Sequence, residues 1–335
     1  MQNPPVTIPI AFVNGILCGI GARGLPVHPF LADAGIGPDL LQQVSARVTA
    51  DQYAALLRSL IVRLDDEAIG FLSRPLRRGS FALIARSALG AATLETALRR
   101  VARTFRLLQD DVLLESVRDG ALAGVALRFL DPAVARPVYL HELLLRIFWR
   151  LLAWLAGGRL PAARFDFAFE SPPHAGNYGK IFPAQLKFGQ YQSAFWFDAA
   201  MLRRPVGRDE AALRAFLADA HVQVIVPRRS TEVISARVRS HLQNAQPAWP
   251  DLAATADALH MATSTLQRRL AADGTTFQAL KDELRRDLAI VRLNTSTVPL
   301  AALADELGFA DSAAFQRAFK SWTGSAPGAY RRGGA

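Results

Sequence analysis

Apolar residues recur along this chain with two different spacings, and the change between them marks where one kind of structure gives way to another. Between residues 51 and 72, Leu56, Leu57, Leu60, Ile61 and Leu64 follow the period of a helix with one buried face. Thr93 stands where it can cap a second helix running to Leu108. Leu94, Ala97, Leu98, Val101 and Phe105 form its apolar side, and Arg99, Arg100, Arg103 and Arg106 mostly its wet side. The runs 112–117 and 122–130 read as strands, and the Asp119-Gly120 step between them predicts a hairpin turn. A strongly apolar helix follows over 138–156, interrupted by His141, Glu142, Arg146 and Arg150, and 165–169 and 193–197 read as further strands. Residues 1–60 break into short helices at Gly/Pro turns such as Leu25-Pro26. Residues 1–225 thus predict an α+β domain.

Past that point the strand signal stops. Residues 226–229 carry a proline and two arginines after an apolar run and read as a linker, so residues 226–236 hold the linker and the start of a helix. Residues 237–332 predict an all-α domain. Thr231 can cap a helix through Asn244, another helix begins after Pro250, and a long one spans about 276–293. That long helix has Leu280, Leu284, Leu288 and Val291 on one face and Lys281, Arg285, Arg286 and Arg292 around the other.

The same all-α stretch says nearly the same thing twice. Residues 252–259 (LAATADAL), a turn and 264–270 (STLQRRL) are echoed by 300–307 (LAALADEL), a turn and 312–319 (SAAFQRAF). The offset is 48 residues from Leu252/Leu300 to Ser264/Ser312 and 49 at Gln267/Gln316 and Arg268/Arg317, which places one inserted residue near the start of the last helix. Each copy reads as a helix-turn-helix. In the first, Leu266 and Leu270 point inward and Ser264, Gln267 and Arg268 outward. In the second, Phe315 and Phe319 point inward, Ser312, Gln316 and Arg317 outward, and Lys320 lies one turn on for phosphate. Gln pairs bidentately with adenine and Arg with guanine in the major groove, so double-stranded DNA is the partner this pattern suits.

The most specific stretch runs from Gly308-Phe309 through Phe315, Arg317, Phe319-Lys320, Trp322, Gly324 and Pro327 to Tyr330-Arg331. On it, residues 230–332 resemble the DNA-binding domain of the AraC/XylS family of bacterial transcription regulators. The resemblance implies two helix-turn-helix units on a common linker helix, entering successive major-groove segments on one face of DNA. It places base contacts at Ser264, Gln267 and Arg268, and at Ser312, Ala313, Gln316 and Arg317. Two departures stand out. Ala262 and Ala310 occupy positions where the family usually has a capping Ser, worth ~1 kcal/mol over Ala, so Thr263 or Ser264 and Asp311 or Ser312 are expected to cap one residue later. Ser264 is also small where many members carry a longer side chain. The stretches 79–84, 93–98, 159–161 and 195–202 make the first 225 residues similar to the arabinose-binding-like effector and dimerisation domain of an AraC subgroup that includes ornithine-utilisation regulators. This does not imply arabinose as the ligand. The resemblance implies a regulator, on balance an activator, with a small-molecule effector, RNA polymerase and a second copy of the chain as further partners. A domain that only dimerises, or an enzyme or carrier tethered to DNA, are the alternatives.

Composition narrows the rest. Lys and Arg number 39 against 29 Asp and Glu, a net +10, which permits a nucleic-acid partner. Charge does not single out the DNA-binding end, because residues 226–335 hold 14 Lys/Arg and 10 Asp/Glu. Cys18 is the lone cysteine, so no internal disulfide and no cysteine metal cage can form. The start of the chain lacks a basic n-region and is broken by Pro4, Pro5 and Pro9, and no apolar run reaches the roughly 20 residues of a membrane span. A cytoplasmic protein with no membrane partner, no metal and no cofactor is expected. Gly19-Ile20-Gly21-Ala22-Arg23-Gly24 matches a dinucleotide fingerprint in letters but lacks the strand before it and the helix after it. His141, Glu142 and His174 could be drawn as a metal set, yet His141 and Glu142, adjacent on a helix, point different ways. The aromatic cluster of Tyr178, Phe188, Tyr191, Phe195, Trp196 and Phe197 reads as core or as a pocket wall. On the second reading the candidate effector residues are Phe195, Trp196, Tyr139, His141 and Arg146.

Overall fold

The Thr93 hydroxyl accepts the Thr96 N–H at 3.3 Å, and the helix it starts runs from Leu94 to Leu108 with Leu94, Ala97, Leu98, Val101 and Phe105 buried. Local chemistry of this kind starts several of the helices in the computed structural model, which describes residues 6–135, 137–223 and 234–331. In chain order they begin with β1 (Thr7–Pro9), α1 (Ile10–Gly21), α2 (His28–Ala34), β2 (Arg47–Thr49), α3 (Ala50–Leu64), α4 (Ser80–Ser87) and α5 (Leu94–Leu108). They continue with β3 (Val112–Asp119), β4 (Leu122–Phe129), α6 (Pro132–Ala135), α7 (Val138–Leu155), β5 (Arg164–Asp166), β6 (Gln185–Lys187), β7 (Ser193–Asp198) and α8 (Glu210–Gln223). The last part holds α9 (Ile234–Asn244), α10 (Leu252–Ala258), α11 (Thr263–Ala272), α12 (Phe277–Thr295), α13 (Leu300–Glu306) and α14 (Ser312–Thr323).

Contacts divide the chain into two units, Ala11–Ala34 with Ala54–Pro227, and Met1–Ile10 with Gly35–Tyr53 and Arg228–Ala335. The first is a mixed α and β unit built on a five-stranded sheet of order β3-β4-β7-β5-β6, antiparallel except for β5 with β6. The hairpin foreseen at Asp119-Gly120 forms with Asp119 opposite Leu122, and Gly120 takes the positive φ of 57° that the tight turn requires. α7 buries residues all round its circumference, including His141, Glu142 and Arg146. Phe195 and Phe197 lie on one side of β7 within an aromatic block with Phe165, Phe167, Tyr178 and Phe182. Trp196 lies on the other side, against Ala126 and Ala194 and across from Gly124, where a Cβ would come within 2.8 Å of its ring.

The helix expected over 51–72 stops at Leu64. The Asp66 carboxylate accepts the backbone N–H groups of Ala68, Gly70 and Leu76 at 2.8–2.9 Å, and that claim on the backbone bends the chain into a loop. The 165–169 run pairs as a strand only to Asp166. Beyond it Phe167 donates to Lys187 O at 2.8 Å and Phe169 accepts from Gly189 at 3.0 Å. Gly19 and Gly21 lie in the last turn of helix α1, so a helix rather than a strand leads into this run.

The second unit is helical apart from β1 and β2, which pair with Thr7 opposite Thr49. Residues 6–10 and 35–53 pack with the C-terminal helices, whereas a division at residue 225 would place them with the sheet. The packing is polar and satisfied: Gln52 Nε2 donates to Asn294 Oδ1 at 2.9 Å and to Gly35 O at 2.5 Å, while its Oε1 accepts from Thr49 N at 2.9 Å. Residues 226–233 of the expected linker, including Thr231, lie outside the described residues.

Candidate nucleic-acid interface

The two helical pairs are copies in three dimensions, with a register that differs from the one the letters suggest. His260 (φ 56°) and Gly308 (φ 70°) hold the same left-handed position in their turns. The next residues, Met261 and Phe309, donate alike to Ala256 O and Ala304 O, each at 2.9 Å. The second turn is one residue longer: α10 and α11 are separated by residues 259–262, α13 and α14 by 307–311. The inserted residue is therefore in the turn, ahead of the last helix, and α11 and α14 correspond at an offset of 49. Ser264 corresponds to Ala313 rather than to Ser312.

Asp311, the last residue of this longer turn, caps α14 by accepting the Ala314 N–H at 2.6 Å. The equivalent place before α11 is held by Ala262, which offers no side-chain cap. Of the caps expected one residue late, the second copy thus has one at Asp311 and the first has none. Inward, Leu266, Leu270, Phe315 and Phe319 are all fully buried. Outward, Ser264, Gln267, Arg268 and Ala271 share one face of α11, and Ala313, Gln316, Arg317 and Lys320 share one face of α14, every one exposed. Ser312 is half-buried and accepts from Gln316 Nε2 at 3.2 Å, so it steadies that side chain from the edge of the face.

The cations of α12 are tied into the scaffold. Arg285 lies between the rings of Trp249 and Phe309, 5.1 and 4.9 Å from their centroids, and donates to Gly308 O at 3.1 Å. Burial holds the Arg285 guanidinium pKa below its usual value. Trp249 precedes the first copy and donates through Nε1 to Glu306 O of the second at 2.9 Å. Lys281 donates to the carbonyls of Trp249 and Pro250 at 2.8 and 3.1 Å, and burial followed by the nearby Arg285 charge lowers its pKa. Arg292 pairs with Glu306 at 2.9 Å and Arg286 with Asp287 at 3.0 Å. Arg268, Arg317 and Lys320 are the exposed cations on the two outward faces, and Arg269 is exposed beside them on α11.

The five effector candidates of the sheet-bearing unit are all buried but are not brought together. Phe195 and Trp196 are on opposite faces of β7 because successive strand residues alternate. Tyr139 packs against Gly15 and stacks on Phe71. His141 is bonded through Nδ1 to Ser193 Oγ at 2.8 Å and through Nε2 to Ala135 O at 2.7 Å. Arg146 has a buried Nε with no hydrogen-bond partner among the described residues. Glu142 turns the other way from His141, accepting from Tyr178 Oη and lying 2.9 Å from His174 Nε2. A cavity lies elsewhere, between α3, α4, α5, α7 and α8, with a volume of about 250 Å³. In sequence its leucines look like any core leucine, which is why they were missed.

Two helix-turn-helix units on one connecting helix, each presenting an outward polar face, define a DNA-binding transcription regulator. The chain belongs to the AraC family of these regulators: residues 24–206 match the arabinose-binding domain of AraC transcription regulator, N-term, and residues 255–333 a helix-turn-helix domain. The family is one of regulators, not enzymes. The chain is 28% identical over 333 residues to the Ornithine utilization regulator of Pseudomonas aeruginosa, covering 97% of this chain and 96% of that one. It is 26% identical over 307 residues to the HTH-type transcriptional regulator VirS of Mycobacterium tuberculosis, covering 90% of each. It is 35% identical over 95 residues to the HTH-type transcriptional regulator VqsM of Pseudomonas aeruginosa, covering 28% of this chain and 29% of that one. No helix among the described residues is long and apolar enough to cross a membrane.

Proposed function

We propose that this regulator reads a specific DNA site with α11 and α14 and that the sheet-bearing unit adjusts its activity in response to a small molecule. The observation that carries the reading is the matched outward face at an offset of 49: Gln267 and Arg268 in one copy, Gln316 and Arg317 in the other, all exposed above fully buried partners. Gln and Arg side chains at these places suit adenine and guanine edges, and Lys320 suits a phosphate. Ser264 and Ala313, at equivalent positions, suit close apolar or hydroxyl contact, and Ser312 supports Gln316. The reading includes activation through RNA polymerase, a homodimer, and action in the cytoplasm. Membership of the family supports each of these. Arabinose and ornithine enter only through the names of the family model and of one relative.

The test is footprinting of the full-length protein on DNA upstream of its own gene and its neighbours, with random competitor DNA in excess. Protection of about two helical turns, lost when Arg268 and Arg317 are both replaced by Ala, is the expected result. Each single Ala variant is expected to lose ~1–3 kcal/mol on the cognate site and to relax preference at one position. An equal loss on cognate and random DNA would show that these arginines do not read bases.

A further inference from the structure

The cavity of the sheet-bearing unit has a chemistry that neither the family's description nor any relative's name suggests. Leu57 and Ile61 of α3, Phe81 of α4, and Leu140, Leu144 and Phe148 of α7 supply much of its wall, and the remaining lining residues are also apolar except for Glu67. Glu67 is occupied by the fold. Its Oε1 accepts the Gly79 N–H and its Oε2 the Phe81 N–H, both at 2.7 Å, so the carboxylate pins the start of α4. A polyhydroxylated ligand would bring hydroxyls with no donors or acceptors to meet them, each unsatisfied group costing roughly 1–3 kcal/mol. A doubly charged amino acid would lose its hydration against hydrocarbon. An apolar cavity of ~150 Å³ takes benzene, so about 250 Å³ suits a bicyclic ring or a medium aliphatic chain.

Resting on the reading that this unit senses a small molecule, we propose that the cavity between α3, α4, α5, α7 and α8 is the effector site and that its ligand is an uncharged, predominantly hydrocarbon molecule of that size. Burying such a ligand draws on apolar area alone, which the wall supplies. The rim is formed by the half-buried Phe81, Ala82, Ile147 and Leu217. Because Glu67 ties the rim helix α4 to the loop after α3, occupancy acts on that helix directly.

The experiment uses full-length protein and two probes, naphthalene and 1-decanol, followed by thermal melting and by operator binding. A ligand that binds only the folded state raises the melting temperature, and a rise of at least ~2 °C with one probe near saturation is expected. A response to one probe alone tells ring from chain. Leu144→Trp fills the cavity and should abolish the shift. If that variant does not fold by circular dichroism, Ala82→Phe at the rim serves the same purpose. The proposal fails if neither probe shifts the melt, if the shift survives filling, or if a sugar or a charged amino acid shifts the melt and filling abolishes that response. It also fails if the protein is a dimer that seals the cavity against both probes. A probe that binds yet leaves operator binding and transcription unchanged refutes effector control while leaving the ligand class standing. A cell extract metabolite that alters operator binding in the filled variant refutes the site while leaving effector control standing.

Discussion

The hydroxyl of Thr7 donates to Oδ1 of Asp287 at 2.6 Å, joining the first strand to the helix between the two helix-turn-helix pairs. Arg47 completes the contact. Its Nε and Nη2 donate to Thr7 Oγ1 and O at 2.7 and 2.8 Å, its backbone N–H reaches Tyr330 Oη at 3.2 Å, and its Nε lies 3.9 Å from Asp287 Oδ1. Burial, with the Arg286 charge second, pushes the Arg47 pKa down to about 10, so the cation depends on Asp287. Asp287→Ala should destabilise the unit by ~3–5 kcal/mol, since it leaves a buried cation without its counter-charge. An excised fragment of residues 234–331 should likewise unfold at lower denaturant than the same residues in the full chain. Equal midpoints would show that the N-terminal segments contribute nothing to the DNA-binding unit.

The missing cap on α11 gives a second expectation. Ala262→Ser should stabilise the unit by ~1 kcal/mol, and Asp311→Ala should destabilise it by a similar amount. Urea midpoints at unchanged slope measure both. No gain from the serine would mean that the Ala262 backbone cannot present a hydroxyl to the free N–H groups.

Lys320 has Ala271 as its equivalent in the first copy. Lys320→Ala should weaken binding to cognate and random DNA alike and make the salt slope shallower by ~1, while Ala271→Lys should steepen it by ~1. Titrations at several salt concentrations decide it, and an unchanged slope in both variants would place this face away from phosphate.

His141 sets a pH dependence. Burial holds its imidazole below the usual value of about 6.5. In the unfolded chain the ring takes a proton as pH falls through about 6.5, while in the fold it stays neutral to lower pH. The unfolded state then binds more protons, so stability present above about 6.5 is lost as pH falls toward the folded value. The exposed carboxylates Asp33, Asp65 and Glu210, held low mainly by bonds from Ser59, Arg77 and Arg86, titrate well below this window. Melting temperatures from about pH 8 to 5 should fall in the wild type and fall less in His141→Gln. Parallel curves would exclude His141 as the source.

Arg146 offers a contrast between stability and sensing. Its residue is 6% exposed and its Nε has no hydrogen-bond partner among the described residues. Arg146→Met keeps the volume and removes a buried charge, so denaturant resistance should rise by ~1 kcal/mol or more. A fall would reveal an ion pair that the fold relies on.

Much of this was legible before any coordinates, for identifiable reasons. The helix after Thr93, the Asp119-Gly120 hairpin and the long helix capped by Thr276 are each fixed by a local signal, a hydroxyl over free N–H groups or a glycine at positive φ. The inward pairs of α11 and α14 followed from spacing alone. What escaped depends on distant partners. β1, β2 and β6 span three residues each, too short for a periodic signal. The loop after Leu64 depends on one carboxylate, Asp66, reaching three amides. The true register of the repeat was hidden because Ser264 and Ser312 look alike as letters, while the turns place the insertion ahead of α14. A leucine that lines a void and one that fills it are the same residue, so the cavity left no mark.

The longer second turn has a consequence for the DNA itself. One head opens its outward face with Ser264 and ends it with Ala271; the other opens with Ala313 and ends with Lys320. Arg285, clasped by Trp249 and Phe309, holds the two in a fixed order. A pair of unlike heads in fixed order has no twofold axis, so a site that suits it has a front and a back. Turned end for end, the same base pairs would meet a different order of side chains from a single protomer.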